Sequence, residues 1–253
     1  MNRETFTLTF GDQAENHVGM QKLGSLADHG FSFQDLCQAQ DKCKNVQTEL
    51  HRLNDVLDKD GIETKEVDDA HLLIIRRGID LFGDPDEFFA EQSQLMWDKR
   101  AKMYGRVVDK HARHNLCFSE ESQDPDYEQG KGRIIAFDQV PLLYSLRKSF
   151  AELISGGENL VVEGNHYYDI AKCGIGFHGD SERRKVIGVR LGATIPLEFQ
   201  WFFKGKAVGK RISFQLNHGD IYIMSEKTVG TDWKKINIYT LRHAAGAAKF
   251  LKI

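Results

Sequence analysis

The stretch that decides the fold runs from Leu160 to Met224 and reads LVVEGNHYYDIAKCGIGFHGDSERRKVIGVRLGATIPLEFQWFFKGKAVGKRISFQLNHGDIYIM. Short apolar or alternating segments recur in it: Leu160–Tyr168, Gly174–His178, Val186–Leu191, Leu197–Phe203, Arg211–Leu216 and Asp220–Met224. Turn-forming clusters such as Lys204-Gly205-Lys206 and His218-Gly219-Asp220 separate them. Segments of this length with period-two texture, bounded by such clusters, predict strands. One more follows at Tyr239–His243. A succession of short strands of this kind predicts a β-sandwich or jelly roll.

Outward from that stretch the texture is more mixed. Pro141–Ile154 reads as an amphipathic helix with Leu142, Leu146, Phe150 and Leu153 on one face, and Ile134–Phe137 as a strand. Thr5–Phe10 alternates like a strand, and Leu72–Ile75 is a short buried one. From Ala14 to Leu57 the composition is helical, restarting at Ser32, which with Asp35 resembles a helix start. Asp84-Pro85 opens a helix pattern that continues through Phe88 and Leu95 to about Tyr104. The polar segment Ser119–Gly132 reads as a linker or mobile loop. The expected architecture is α+β. A jelly-roll core, the double-stranded β-helix, spans 133–253, and a helix-rich region over 1–132 packs against it as a support or substrate lid.

Composition narrows the function classes. The 253 residues are 41% hydrophobic, enough to bury a core and to exclude a wholly disordered chain. Apolar runs such as Leu72–Ile75 fall far short of the roughly 20 residues a spanning helix needs, so no membrane role is expected. Met1–Asp12 lacks the basic-then-apolar pattern of a signal peptide. Cys37, Cys43, Cys117 and Cys173 are scattered without metal or disulfide spacing, which suits a reducing, cytoplasmic setting. With 34 basic and 37 acidic residues the net charge is −3, so there is no global basic footprint for nucleic acid.

The local chemistry sits in Ile175-Gly-Phe-His-Gly-Asp-Ser-Glu-Arg183. His178 and Asp180 are two apart at a strand end, where residues i and i+2 point to the same face, so an imidazole and a carboxylate converge on one ion. A third ligand from a later strand completes a two-His-one-carboxylate triad with open positions on iron(II). By itself this HxD is a weak signal in a chain with ten histidines, and a polar turn with a surface His reads the same way.

Its surroundings add specificity. Asn165-His-Tyr167 precedes it by one strand, Val186–Gly192 follows as the next strand, Glu198–Lys204 as an aromatic one and Leu216–Asp220 as a hairpin. In this order the patterns, across roughly 134–243, resemble the AlkB-type branch of the Fe(II)- and 2-oxoglutarate-dependent dioxygenases. The first 130 residues carry no such resemblance. The resemblance implies that His178 and Asp180 are iron ligands, that Asn165 and Tyr167 hydrogen-bond 2-oxoglutarate, and that Glu182 contacts the substrate.

The distal half departs from the family pattern, in which a second His ligand is followed by an arginine that clamps the far carboxylate of the cosubstrate. Two placements compete. In one, His243 is the ligand, at a strand end with small residues behind it. In the other, Arg242 is the clamp, and the ligand then belongs near Asp232-Trp233-Lys234, where no His exists. The first is the expectation. It leaves no arginine after His243, yet a buried carboxylate needs a cation. Arg190 interrupts the apolar strand Val186–Leu191, and its fork suits a carboxylate. Lys252, which is similar to the lysine of prolyl hydroxylases, is the alternative. Arg190 also reads as a strand-face ion pair with Glu198 or Asp220.

The activity so implied is oxidation of a substrate C–H bond with Fe(II), 2-oxoglutarate and O2, releasing succinate and CO2. The AlkB resemblance favours N-demethylation of a nucleobase, with basic residues such as Arg183-Arg184-Lys185 and Lys234-Lys235 available for phosphates. Two alternatives stand beside it. One is a hydroxylase of a small molecule or protein side chain, and the other a non-catalytic jelly-roll binding module.

Overall fold

Thr5-Phe-Thr-Leu-Thr-Phe-Gly11 forms β1, and its alternation sets the layers. Successive side chains point to opposite faces of a strand. Phe6, Leu8 and Phe10 therefore enter an apolar core on one side, while Thr7 and Thr9 line a cavity on the other. The computed structural model describes residues 3–59, 61–62 and 67–253.

After β1 come a ribbon of β2 (Gln13–Glu15) and β3 (Lys22–Gly24), helix α1 (Phe33–Lys42), β4 (Thr48–Arg52), α2 (Asp55–Lys59) and β5 (His71–Ile75). Helix α3 (Pro85–Ser93), a second ribbon of β6 (Arg100–Met103) and β7 (Arg106–Asp109), β8 (His114–Ser119), β9 (Ile134–Ala136) and α4 (Pro141–Leu153) follow. The last part holds β10 (Val161–Tyr167), β11 (Gly174–His178), β12 (Val186–Gly192), β13 (Ile195–Phe203), β14 (Lys206–Leu216), β15 (Ile221–Met224), α5 (Glu226–Val229) and β16 (Thr240–Gly246).

The protein is a β-rich α+β structure with two principal sheets. The larger has eight strands in the order β4-β5-β15-β12-β1-β10-β8-β9, and the smaller four in the order β11-β16-β13-β14. All neighbours are antiparallel except β8 and β9. One face of the large sheet carries the helices: Leu36 of α1, Phe88 of α3 and Leu146 and Phe150 of α4 share a core with Leu8, Phe10, Val162, Val189 and Ile223. Phe10 meets Phe150 edge to face, with ring centroids 4.8 Å apart. The other face packs on the small sheet, where Leu72, Ile74, Val186 and Met224 meet Leu197, Phe199, Trp201 and Leu241. Because β5 is covered on both faces, all five of its residues are buried, which is why it reads as a continuous apolar run.

The helix starts obey local chemistry. Ser32 caps α1 by accepting from the Asp35 N–H at 3.2 Å, and Asp35 accepts from the Ser32 N–H at 2.8 Å. Asp84 caps α3, with Pro85 as its first residue.

The first 132 residues depart from expectation. They are not helix-rich: β1, β4, β5 and β8 belong to the large sheet, and β1 lies between β10 and β12 at its centre. The division at 132/133 runs through that sheet, where Cys117 of β8 pairs with Ile134 of β9. Within Ala14–Leu57 only α1 and the start of α2 are helical, because long-range pairing of β4 with β5 overrides local propensity. Helix α3 ends at Ser93 rather than near Tyr104, and the Trp97 indole N–H caps its end through the Gln92 carbonyl at 3.0 Å. Segment 119–132 is tied down by backbone bonds between Gln123 and Ile134 and between Asp126 and Lys131.

Candidate metal centre

Strands β11 and β16 run antiparallel, with Gly174 opposite Gly246, Ile175 opposite Ala245 and, across an irregularity, His178 opposite His243. Small residues are required there. Gly246 has φ +103°, and a Cβ on it would lie 2.5 Å from the Gly174 Cα. Beyond His178 the chain turns at Gly179, where a Cβ would fall 2.1 Å from the Gly230 carbonyl oxygen. Only glycine lets the turn pass, and the Asp180 N–H then donates to the Val229 carbonyl at 3.0 Å. The sequence His-Gly-Asp thus delivers its carboxylate beside both imidazoles.

Asp180 Oδ1 lies 3.5 Å from His178 Nε2 and 3.5 Å from His243 Nε2. One ligand atom from each of the three residues lies within 4.8 Å of the others. His178 Nδ1 donates to the carbonyls of Gly176 at 2.8 Å and His243 at 3.1 Å, which turns a lone pair on Nε2 inward. Burial, reinforced by His243, depresses the His178 imidazole to about 4, so it is neutral near pH 7. Burial pushes the Asp180 carboxyl up, but Arg183 and the two histidines outweigh it and hold it well below the usual carboxylate range. Two imidazoles and one ionised carboxylate on one side of a space form the donor set of an octahedral divalent ion with an open face.

The triad opens into a cavity of about 780 Å³ between the sheets. Its large-sheet wall is a polar ladder, because Asn165 of β10, Thr7 of β1 and Arg190 of β12 lie in one rung. Arg190 is 1% exposed, and its Nη1 donates to Thr7 Oγ1 at 2.7 Å, while its buried Nε has no partner among the described residues. Neither expected counter-ion reaches it. Asp220 pairs with Arg76 at 2.8 Å and Glu198 with Arg211 at 3.2 Å. No carboxylate pairs with Arg190 among the described residues. Tyr222, also on the wall, lies over Gly188, where a Cβ would fall 1.9 Å from the ring. Burial pushes its phenol up to about 12.

The remaining expected residues divide. Tyr167 is buried and lines the cavity. Asn165 also lines it, but its Oδ1 already accepts from Arg113 Nε at 2.6 Å and Asn115 Nδ2 at 2.8 Å. Glu182 lies on the cavity wall and is held by Arg183 at 2.8 Å, and burial raises its carboxyl. Arg183 also joins Glu163 and approaches Asp180 at 3.5 Å. Lys252 is exposed and off the cavity wall, because Phe250 packs against Gly174 and turns the chain end outward. Arg242 alternates with His243 and points to the opposite face of β16, stacked 4.0 Å over Phe202 and 5.3 Å over Trp233. That geometry excludes it as the clamp. His218 is away from the triad, accepting from the Gly192 N–H at 2.8 Å.

Several wall residues were not legible beforehand: Arg113, Thr7, Thr9, Glu15, Asn16 and Glu163. The threonine alternation in β1 was a usable signal, since three hydroxyls on one strand face suit a polar wall. Arg113, just before β8, had none.

Fold and site together define a β-rich α+β protein with a His-Asp-His cluster at the floor of an inter-sheet cavity. No family model matches the chain. The chain is 52% identical over 252 residues to the Uncharacterized protein R156 of Acanthamoeba polyphaga mimivirus, an overlap of 99% of this chain and 98% of the viral one. It belongs to that protein's family.

Proposed function

We propose that the protein is an Fe(II)- and 2-oxoglutarate-dependent dioxygenase with a double-stranded β-helix core, acting by oxidative N-demethylation of a nucleobase. The observation that carries this reading is the pairing, in one cavity, of the His178–Asp180–His243 cluster with the Arg190 guanidinium, which has no carboxylate partner among the described residues. One is a donor set for a divalent ion, and the other an anion receptor. The fold reading draws support from the strand path: β10, β12 and β15 lie in the large sheet, and β11, β13, β14 and β16 in the small one. Strand β1, between β10 and β12, would complete an eight-strand core from the start of the chain.

Bound iron with 2-oxoglutarate and O2 supplies an oxidant for a substrate C–H bond, with release of succinate and CO2. The chain's own residues do the rest. His178 and His243 present ring nitrogens, and Asp180 offsets part of the metal charge. Arg190 holds the far carboxylate of the cosubstrate, with Tyr167 beside it. Ile175, Leu197, Val186 and Met224 add apolar wall around these groups, which strengthens those charge contacts. At the mouth, Glu182 accepts hydrogen bonds from the edge of a base, and Trp233 and Lys234 stand on the rim. A net charge of −3 favours a single nucleotide or short single strand over duplex.

The test is an anaerobic titration with Fe(II) and 2-oxoglutarate, followed by turnover on N-methylated oligonucleotide. A weak visible charge-transfer band in the wild type, lost in His243→Ala, and release of formaldehyde are expected. Absence of the band in the wild type overturns the reading. A band with turnover of small molecules alone would keep the dioxygenase and replace the substrate.

A further inference from the structure

Besides Arg190, the cavity holds one more guanidinium without a carboxylate partner among the described residues, and the sequence motifs do not assign it. Arg113 stands in the connection before β8 and lines the cavity. Its Nε donates to Asn165 Oδ1 at 2.6 Å, and no carboxylate pairs with it among the described residues. Asn165 is locked in turn. Asn115 Nδ2 donates to the same oxygen at 2.8 Å, and Asn165 Nδ2 donates to Glu163 at 3.2 Å. The amide oxygen therefore faces Arg113 by necessity and fixes the fork, leaving its outer nitrogens for another acceptor.

Strand order and backbone contacts place the groups along the wall. Ala112 accepts from the Gly174 N–H at 3.0 Å, so Arg113 stands on the side of β11, the strand of His178, whereas Arg190 lies on β12, two strands across from Asn165. Among the described residues Arg113 is thus the cation without a carboxylate on the β11 side, and Arg190 the one on the far side of Thr7. A divalent ion held by two neutral imidazoles and one carboxylate keeps a net positive charge, and a guanidinium next to it is repelled unless an anion lies between them. A 2-oxo acid bound to the metal supplies that anion.

Resting on the dioxygenase reading, we propose that Arg113 receives the near carboxylate of the cosubstrate, the one that reaches the metal, and Arg190 the far one. The pocket then reads a dicarboxylate at both ends, with cations drawn from the β7–β8 connection and from β12. Asn165 is a positioning residue for Arg113 and not itself the main ligand contact.

The full chain loaded with Mn(II) is titrated calorimetrically with 2-oxoglutarate and with 2-oxopentanoate, which keeps the 2-oxo acid and replaces the far carboxylate with a methyl group. Arg190→Gln is expected to weaken 2-oxoglutarate about tenfold or more and to leave 2-oxopentanoate unchanged, the scale of a lost charge-assisted hydrogen bond. Arg113→Gln is expected to weaken both ligands by a similar factor, and Arg113→Lys to weaken both by less. The unliganded melting temperature of the Arg113 variants should match the wild type, separating a binding role from a structural one. Unchanged affinity for both ligands in Arg113→Gln overturns the assignment, as does a loss confined to 2-oxoglutarate. If the Mn(II)-loaded wild type binds neither ligand, the dioxygenase reading itself fails.

Discussion

Replacing Arg190 with methionine separates a ligand-binding cation from a structural one, because the two readings predict opposite signs. The guanidinium is 1% exposed, and among the described residues its only side-chain bond is to a neutral hydroxyl, Thr7 Oγ1 at 2.7 Å. Losing a hydrogen bond from a charged donor costs about 1.5–3 kcal/mol. Against this, an ion buried without a counter-charge carries a desolvation penalty of several kcal/mol, and an apolar side chain of similar length removes it. The stem keeps its packing in methionine. The balance favours the variant by ~1–2 kcal/mol in the unliganded protein, which for a chain of this length is roughly 2–8 °C in melting temperature. With Mn(II) and 2-oxoglutarate at a hundred times the dissociation constant, the wild type gains about 2.7 kcal/mol. A variant that binds tenfold more weakly gains only about 1.4 kcal/mol at the same ligand concentration, so its advantage shrinks by about 1.3 kcal/mol. Differential scanning fluorimetry with and without ligands reads both differences. A variant less stable than the wild type without ligand, yet still stabilised by 2-oxoglutarate, would refute the reasoning and make Arg190 a structural residue.

Other consequences are equally direct. His178→Ala should abolish the metal-dependent rise in melting temperature while leaving the circular dichroism spectrum unchanged; retained metal stabilisation would remove His178 from the ligand set. Gly188→Ala should destabilise by ~1–3 kcal/mol in chemical denaturation, since its Cβ would fall 1.9 Å from the Tyr222 ring, and a neutral result would contradict that contact. Leu8→Ala, at a fully buried position on the central strand, should cost about 2–5 kcal/mol by the same measurement. Acid should also weaken the fold. Burial depresses His114 from 6.5 to about 4, so the unfolded chain takes up its proton first and stability falls as pH drops through that window. Burial likewise lowers His71 and His166. Denaturation midpoints at pH 7.5 and 5 read the slope, and His114→Asn should flatten it.

What was legible depended on whether the deciding contact was local. The strands from β10 to β16 announce themselves by period and turn, and β11 begins at Gly174 and ends at His178 as read. Strand β14 starts five residues earlier than its apolar segment because Lys206–Lys210 completes a hairpin with β13 across the turn at Lys204-Gly205. The capping pair Ser32 and Asp35 was equally readable, being a matter of three residues. The N-terminal region resisted for the opposite reason. The Thr5 hydroxyl bonds the Leu191 carbonyl 186 residues away, and no periodicity within β1 names that partner. The same limit applies at the site. His178 and Asp180 share a local motif, while the choice between Arg242 and His243 turns on which face of β16 looks inward. That face is set by Leu241 entering the inter-sheet core, with His243 following it two residues on.

The position of β1 also accounts for the charge left in the cavity. A strand between β10 and β12 must present its inner face to both Asn165 and Arg190, and position 7 meets each of them directly. A carboxylate there would neutralise the guanidinium and close the site to anions. Threonine instead orients Nη1 with a neutral acceptor and leaves the positive charge uncompensated, so the fold bears a desolvation cost that a bound anion relieves. On the β11 side the half-buried Arg113 likewise faces an amide oxygen, that of Asn165, in place of a carboxylate. Elsewhere the buried arginine Arg183 is surrounded by Glu163, Glu182 and Asp180. Three arginines line one cavity, and among the described residues carboxylates surround Arg183 while none pairs with Arg113 or Arg190, a contrast that binding of a dicarboxylate would explain.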